Sequence, residues 1–131
     1  MTSQLKGRKI APGDVTGEAL VTSQSLSFYG GVDPETGVVV EKDHELEGKS
    51  ITGKVLVFPS GKGSTVGSYV LYQLAKTGKG PIAIINQETE AIVAVGCIIG
   101  EIPAIDKIPI AKIQTGQQLH VKATHGIVEF L

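Results

Sequence analysis

The sequence predicts a compact α/β domain of the β/β/α kind, and three observations carry that expectation. Strand-like runs occupy the first third of the chain. A strand–helix–strand–helix alternation follows, and one of its strands, Pro81-Ile82-Ala83-Ile84-Ile85, is continuously apolar, as a strand covered on both faces must be. The chain then ends on an alternating run, a turn and a return run, the pattern of a hairpin. Layered α/β domains are built from such pieces. The 131 residues suit a single domain, expected to span 1–131, with enough chain for one real core.

Taken in order, Gly17 to Thr22 reads as a strand. The turn residues Asp33-Pro34-Glu35-Thr36-Gly37 lead into a second, Val38 to Glu41. Ser50 to Gly53 leads into the apolar strand Val55 to Phe58. A helix is expected from about Thr65 to Lys76, with Val66, Tyr69, Val70 and Leu74 at helical spacing. Gly78 is its stop, and Lys76 suits the negative end of its dipole. Glu88-Thr89-Glu90 offers a cap and negative charge for a second helix. Ala91 to Ile99 is apolar nearly all round and is expected as a buried helix, with a strand as the competing reading because Ile92, Val93, Val95, Ile98 and Ile99 are β-branched. Pro103 and Pro109 interrupt the next stretch. Gln118 to Lys122 alternates, Thr124-His125-Gly126 turns, and Gly126 to Leu131 returns.

Between the apolar strand and the first helix lies the most unusual segment, Pro59-Ser60-Gly61-Lys62-Gly63-Ser64-Thr65-Val66-Gly67-Ser68. A glycine-rich turn between strand and helix leaves backbone N–H groups open to an anion. It is not a nucleotide-binding P-loop: Leu56 stands where that motif needs its first glycine, and Gly63 follows the lysine where Ser or Thr belongs. Ser64 sits where loop becomes helix, and Ser60, Thr65 and Ser68 are rival hydroxyls. A serine acts as base or nucleophile only with help from oriented N–H groups, a helix terminus or a cation. Lys62 and the amides around Gly61, Gly63 and Thr65 could give it. Ser68, one turn into the helix, is expected to bond a backbone carbonyl instead.

Other groups point less clearly to chemistry. His44 lies in the charged run Glu41 to Glu45, expected as a solvated turn. His120 alternates in a strand and His125 sits in a turn, with no third metal ligand evident. Cys97 falls in the apolar helix, where an inert thiol is expected. A lone cysteine makes no internal disulfide and holds no metal cluster by itself. Leu26-Ser27-Phe28-Tyr29-Gly30-Gly31-Val32 sets two aromatics against a double glycine: either a ring packed under a turn, or a rim that contacts a partner.

Net charge is −1, with 12 basic and 13 acidic residues, so no basic footprint for nucleic acid is present. Aromatics make up only 5%, too few for a base-stacking platform. The polar start, Met1 to Lys9, has no apolar signal core, and no apolar run is long enough for a membrane span. A cytoplasmic protein is expected.

Gly17 to Val21, the loop Ser27 to Asp33, the segment Val57 to Tyr69, and Ala94-Val95-Gly96 followed by Glu101-Ile102-Pro103 together resemble the small subunits of aconitase X type dehydratases. Within that family the resemblance is to the archaeal phosphomevalonate dehydratases. It covers nearly the whole chain in order, and Gly61 to Ser68 is its most specific part. It implies a swivelling β/β/α domain that pairs with a separate large subunit. That subunit would hold a [4Fe-4S] cluster, and this chain alone would hold no cofactor. It implies dehydration of a phosphorylated hydroxy acid, (R)-5-phosphomevalonate, to trans-anhydromevalonate 5-phosphate for isoprenoid synthesis. Relatives dehydrate hydroxyproline instead. Ser64 is then the matching base, Lys62, Gly61, Gly63 and Thr65 the substrate-binding residues, and Phe28, Tyr29, Gly30 and Gly31 the contact with the partner. The competing reading is a non-catalytic domain whose glycine loop only holds an anion or a partner. A phosphohistidine swivel domain fits less well, since no histidine lies in that loop.

Overall fold

The chain opens with β1 (Gln4–Lys6), β2 (Arg8–Ala11) and the long β3 (Asp14–Val21). After β4 (Leu26–Ser27) and an irregular stretch come β5 (Val55–Phe58), β6 (Gly61–Lys62) and helix α1 (Gly67–Thr77). Then follow β7 (Ala83–Asn86), α2 (Ala91–Gly100), β8 (Ala104–Asp106), β9 (Gln118–Lys122) and β10 (Ile127–Phe130). This computed structural model describes residues 3–131, so Met1 and Thr2 of the polar start lie outside the described residues.

Among the described residues, eight strands form one mixed sheet in the order β1-β10-β9-β3-β5-β7-β8-β2, and β4 pairs with β6 separately. β3, β5, β7 and β8 run parallel, joined across α1 and α2 as two overlapping βαβ units. β1 and β2 lie at opposite ends of that order, yet only Gly7 separates them in sequence. Two Cα steps reach about 7 Å, so the edges meet there and the sheet is curled on itself. The Gly7 amide donates to the Gly126 carbonyl at 2.8 Å, and a Cβ on Gly7 would lie 2.1 Å from the Asp106 carbonyl. Only glycine fits that corner.

The pleat divides the core. Val55, Val57, Ala83 and Ile85 point into the curl, with Leu119, Val121 and Val128 from the antiparallel strands. Leu56, Phe58 and Ile84 point the other way, against Leu71, Leu74, Val93 and Cys97 of the helices. Both faces of β5 and β7 are buried, which is why those strands read as unbroken apolar runs. The helices approach closely where Gly96 faces Leu71: a Cβ on Gly96 would stand 2.7 Å from Leu71 Cδ1.

Several expectations are corrected. Val38 to Glu41 forms no named strand; Val38 and Val39 make isolated bridges to Ser50 and Val32. The stretch is held instead by burying Val32, Val39, Leu46 and Ile51 against the helix layer. α1 begins at Gly67, so Ser64 precedes it in a turn closed by Gly67 N donating to the Ser64 carbonyl at 2.9 Å. α2 is a helix as expected, capped by Glu90, but it is not buried all round: Val95, Ile98 and Ile99 face outward. His44 is buried, not solvated. Its Nδ1 accepts the Leu46 amide at 3.0 Å, which leaves Nε2 to donate to the Ser25 carbonyl at 3.1 Å.

At the carboxyl end of β8, Asp106 is fully buried and takes Arg8 Nε and an Arg8 terminal nitrogen at 2.9 and 2.7 Å, with the Thr89 amide at 3.0 Å. Burial raises the Asp106 carboxyl, but the guanidinium and the amide outweigh it and hold it below the usual carboxylate range. No helix among the described residues is long and apolar enough to cross a membrane.

Candidate functional site

Parallel strands end on a common edge, and the loops beyond their carboxyl ends are the usual place for a site in an α/β sheet. Here β3, β5 and β7 end at Val21, Phe58 and Asn86, and the loops that follow are tied to one another. β4 pairs with β6 through Leu26 and Gly61, Ser27 and Lys62. The amides of Gln87 and Glu88 both donate to the Pro59 carbonyl at 3.1 Å, and Asn86 Nδ2 donates to the Phe58 carbonyl at 3.0 Å. The glycine loop is thus clamped between the loop after β3 and the loop after β7.

Two of its glycines are required by that clamp. A Cβ on Gly61 would lie 2.4 Å from Glu90 Oε1 and 2.6 Å from Val93. Gly63 has φ +92°, and its Cβ would lie 2.4 Å from Ser27 Oγ. Glu90 seals the start of α2 by accepting the Ile92 and Val93 amides at 2.8 Å each. No side chain caps α1, whose preceding residue is Val66. Among the described residues, the amides of Ser64 and Thr65 donate to no protein group.

The hydroxyls differ in what they are committed to. Ser60 Oγ donates to the Gly61 carbonyl at 3.4 Å, and the buried Ser68 donates to the Thr65 carbonyl at 2.9 Å, as expected for a helical serine. Ser27 Oγ donates to the Tyr29 carbonyl at 2.9 Å. Ser64 is exposed, and its Oγ accepts the Val66 amide at 3.2 Å. Its proton is donated to no group among the described residues. Thr65 is exposed beside it.

Lys62 is not a free cation. Its Nζ lies 2.8 Å from Glu41 Oε2, while Glu41 Oε1 accepts the Ser27 amide at 3.1 Å. Partial burial raises the Glu41 carboxyl, but Lys62 and the Ser27 amide outweigh it and hold it below the usual range. The charged run Glu41 to Glu45 reads as solvated surface in sequence; only the fold shows that Glu41 braces the site.

The aromatic–glycine loop divides. Phe28 is buried, edge-on to Phe58 at 6.0 Å between ring centroids, so it belongs to the core and cannot serve as an exposed anchor. Tyr29 is exposed. Gly31 is needed for packing, since its Cβ would meet the Ser27 carbonyl at 2.0 Å; Gly30 has open space and a positive φ. His120 lies on β9, its Nε2 2.6 Å from Asp14, and His125 sits in the turn Ala123–His125. Cys97 is buried, and burial pushes its thiol up to about 12. Among the described residues, no three His, Cys, Asp or Glu side chains come together as a metal site.

A curled mixed sheet under two helices, with a clamped glycine loop at the carboxyl edge, defines a swivel-type α/β domain. A family model described as the aconitase X swivel domain matches residues 4–130, and the chain belongs to that family. It is 56% identical over 126 residues to the phosphomevalonate dehydratase small subunit of Thermococcus onnurineus, covering 96% of this chain and 97% of that one. It is 56% identical over 131 residues to the protein of the same name in Methanosarcina acetivorans, covering 98% and 91%. The crystal structure of Thermococcus kodakaraensis aconitase X in its holo form superposes with a TM-score of 0.97 at 53% identity, covering 98% of both chains.

Proposed function

We propose that this chain is the small subunit of a two-subunit hydro-lyase, a phosphomevalonate dehydratase, and that Ser64 is its proton acceptor. The relatives named above carry that name over nearly their whole lengths. The observation that carries the residue assignment is the unequal commitment of the loop hydroxyls. Ser60 and Ser68 donate to backbone carbonyls, whereas Ser64 oxygen accepts an amide hydrogen and keeps its own proton uncommitted. An accepted N–H favours the ionised oxygen, which is the form a base needs.

The residues present do not fit an iron–sulfur cluster, since the lone thiol is buried and un-ionised. We assign the [4Fe-4S] cluster implied by the family resemblance to the large subunit. Ser64 oxygen takes the proton from the carbon beside the substrate carboxylate. The C–H electron pair becomes the C=C bond, and the hydroxyl on the next carbon leaves as hydroxide with its C–O electron pair; that hydroxide and the proton taken up by Ser64 together make up the water lost. The free amides of Ser64 and Thr65 face developing or bound negative charge. An ammonium has three donors, and Glu41 uses one, so Lys62 can keep its brace and still bind a substrate anion.

The test is anaerobic co-purification with the large subunit of the same organism, followed by assay on (R)-5-phosphomevalonate. Ser64→Ala should lower turnover by roughly 10²–10⁴-fold, the range for loss of a general base, with complex formation intact. Ser60→Ala and Ser68→Ala should cost much less. Near-normal turnover by Ser64→Ala would place the base elsewhere, and activity on a hydroxyproline substrate alone would overturn the substrate.

A further inference from the structure

β7 is apolar until its last residue, Asn86, whose amide side chain is fully buried. A buried amide is costly unless both of its ends are bonded, and here both are. Nδ2 donates to the Phe58 carbonyl at 3.0 Å, and Oδ1 accepts Thr89 Oγ1 at 3.1 Å. A carbonyl only accepts, so the end that faces Phe58 must be the NH2. Thr89 is held in turn, since its amide donates to the buried Asp106 at 3.0 Å, and Asp106 takes two nitrogens of Arg8 on the edge strand β2. An unbroken line of bonds thus runs from Arg8 through Asp106, Thr89 and Asn86 to the backbone where β5 becomes the glycine loop.

We propose that Asn86 is a positioning residue for the dehydration: it fixes the start of the glycine loop at Phe58 and, through the loop, the place of Ser64. The proposal rests on the reading of Ser64 as the proton acceptor. Its support is where Asn86 takes hold. Pro59 has no N–H, so at that residue the chain can be tied only through its carbonyl, which takes the Gln87 and Glu88 amides. The Phe58 carbonyl is the next anchor back, and Asn86 is the side chain that holds it. Gly61 is the next anchor forward, set against Glu90. Residues 86–90 therefore floor the loop at three points, and Ser64 follows the last of them by three residues. On its other side the loop is held by β4 and by Glu41 through Lys62. Among the described residues Ser64 Oγ bonds only the Val66 amide, within its own turn. The anchored floor and side are thus what set where that oxygen stands. A general base works only within hydrogen-bond reach of its proton, and a displacement of about 1 Å can cost about 100-fold in rate.

The test is kinetics of the reconstituted two-subunit enzyme on (R)-5-phosphomevalonate, with Asn86→Asp alone and together with Ser64→Ala. The aspartate keeps the shape and the acceptor for Thr89, but turns an oxygen instead of an N–H to the Phe58 carbonyl. Turnover should fall by about 10–100-fold, the scale of a misplaced catalytic group. KM and affinity for the large subunit should stay within about threefold of normal. In the Ser64→Ala enzyme the same change should cost nothing further, because a residue that acts through Ser64 has nothing left to place. Thr89→Val should also lower turnover, and Thr89→Ser should restore it. Val121→Ala, inside the curl, should lose thermal stability and keep its turnover. Turnover of Asn86→Asp within about threefold of normal would overturn the proposal. So would an equal loss in the Ser64→Ala background, or a Val121→Ala enzyme that slows as much at the same loss of stability. If Asn86→Asp does not fold, the Thr89 pair decides, and unaltered turnover in Thr89→Val sinks the idea. Should Ser64→Ala alone leave turnover normal, the reading of Ser64 falls and this proposal with it. A Ser64→Ala enzyme that slows as expected beside an unaffected Asn86→Asp enzyme removes this proposal alone.

Discussion

Glu41 Oε2 and Lys62 Nζ meet at 2.8 Å across the candidate site, joining the irregular stretch before β5 to the glycine loop after it. Because the other Glu41 oxygen holds the Ser27 amide, one carboxylate fixes the relative position of two loops. The charge that the sequence offers to a substrate is therefore shared with a brace.

The brace makes a pH-dependent prediction. The Glu41 carboxyl sits below its ordinary value in the folded chain. Its contribution is then fully present above the unfolded carboxylate pKa, about 4.3, and is lost as pH falls through the lowered folded value. Glu41→Gln should cost about 0.5–1 kcal/mol at pH 7, since the pair is partly exposed. The cost should shrink towards zero on acidification to below the folded value. Urea titrations of both proteins at a series of pH values measure it. A difference that grows as pH falls would show that the ion pair is not the stabilising contact.

Gly63 gives a sharper steric prediction. Its φ of +92° disfavours any side chain, and its Cβ position is 2.4 Å from Ser27 Oγ. Gly63→Ala should destabilise by about 1–3 kcal/mol and displace Ser64, so turnover of the reconstituted enzyme should fall as well. Adding Ser27→Gly removes the clash and leaves the backbone strain. The double variant should therefore recover part of the stability, not all. Full recovery would show that the dihedral costs nothing; none would show that Ser27 is not what the new methyl meets.

How much of this was legible follows from what each segment is covered by. Val55 to Phe58 and Ala83 to Asn86 are readable because burial on both faces leaves no polar position in the run. The stop at Gly78 is readable because a left-handed C-terminal residue favours glycine, and its φ is 72°. β1 and β2 carry no clear pattern, because they are short and partly exposed at a curled edge, and β8 is buried but only three residues long and ends on the charged Asp106. Val38 to Glu41 looks like a strand because a turn leads into three consecutive β-branched valines, yet the run serves a loop that packs Val39 on the helices. The Ser64 loop stands out through its own residues. Glu41 and Ser27 do not, because their roles depend on contacts across 21 and 36 positions of chain to Lys62 and Gly63. The apolar outer face of α2 reads as core because a sequence does not say which apolar residues face outward.

Cys97 carries the last prediction. It is fully buried against the helix layer, and its thiol is pushed up to about 12 by loss of solvation. At pH 8 only about one molecule in ten thousand would carry the thiolate, the form that binds iron or reacts with an alkylating agent. The folded chain should therefore resist iodoacetamide at pH 8 for hours and be labelled fully in guanidinium. Incubated anaerobically with iron and sulfide, the isolated chain should stay colourless and take up far less than one iron per molecule. Mass spectrometry of the alkylated protein and an iron assay after desalting give the two readouts. Rapid labelling in the folded state would mean that α2 opens readily. Stoichiometric iron on the isolated chain would remove the ground for placing the cluster on the partner.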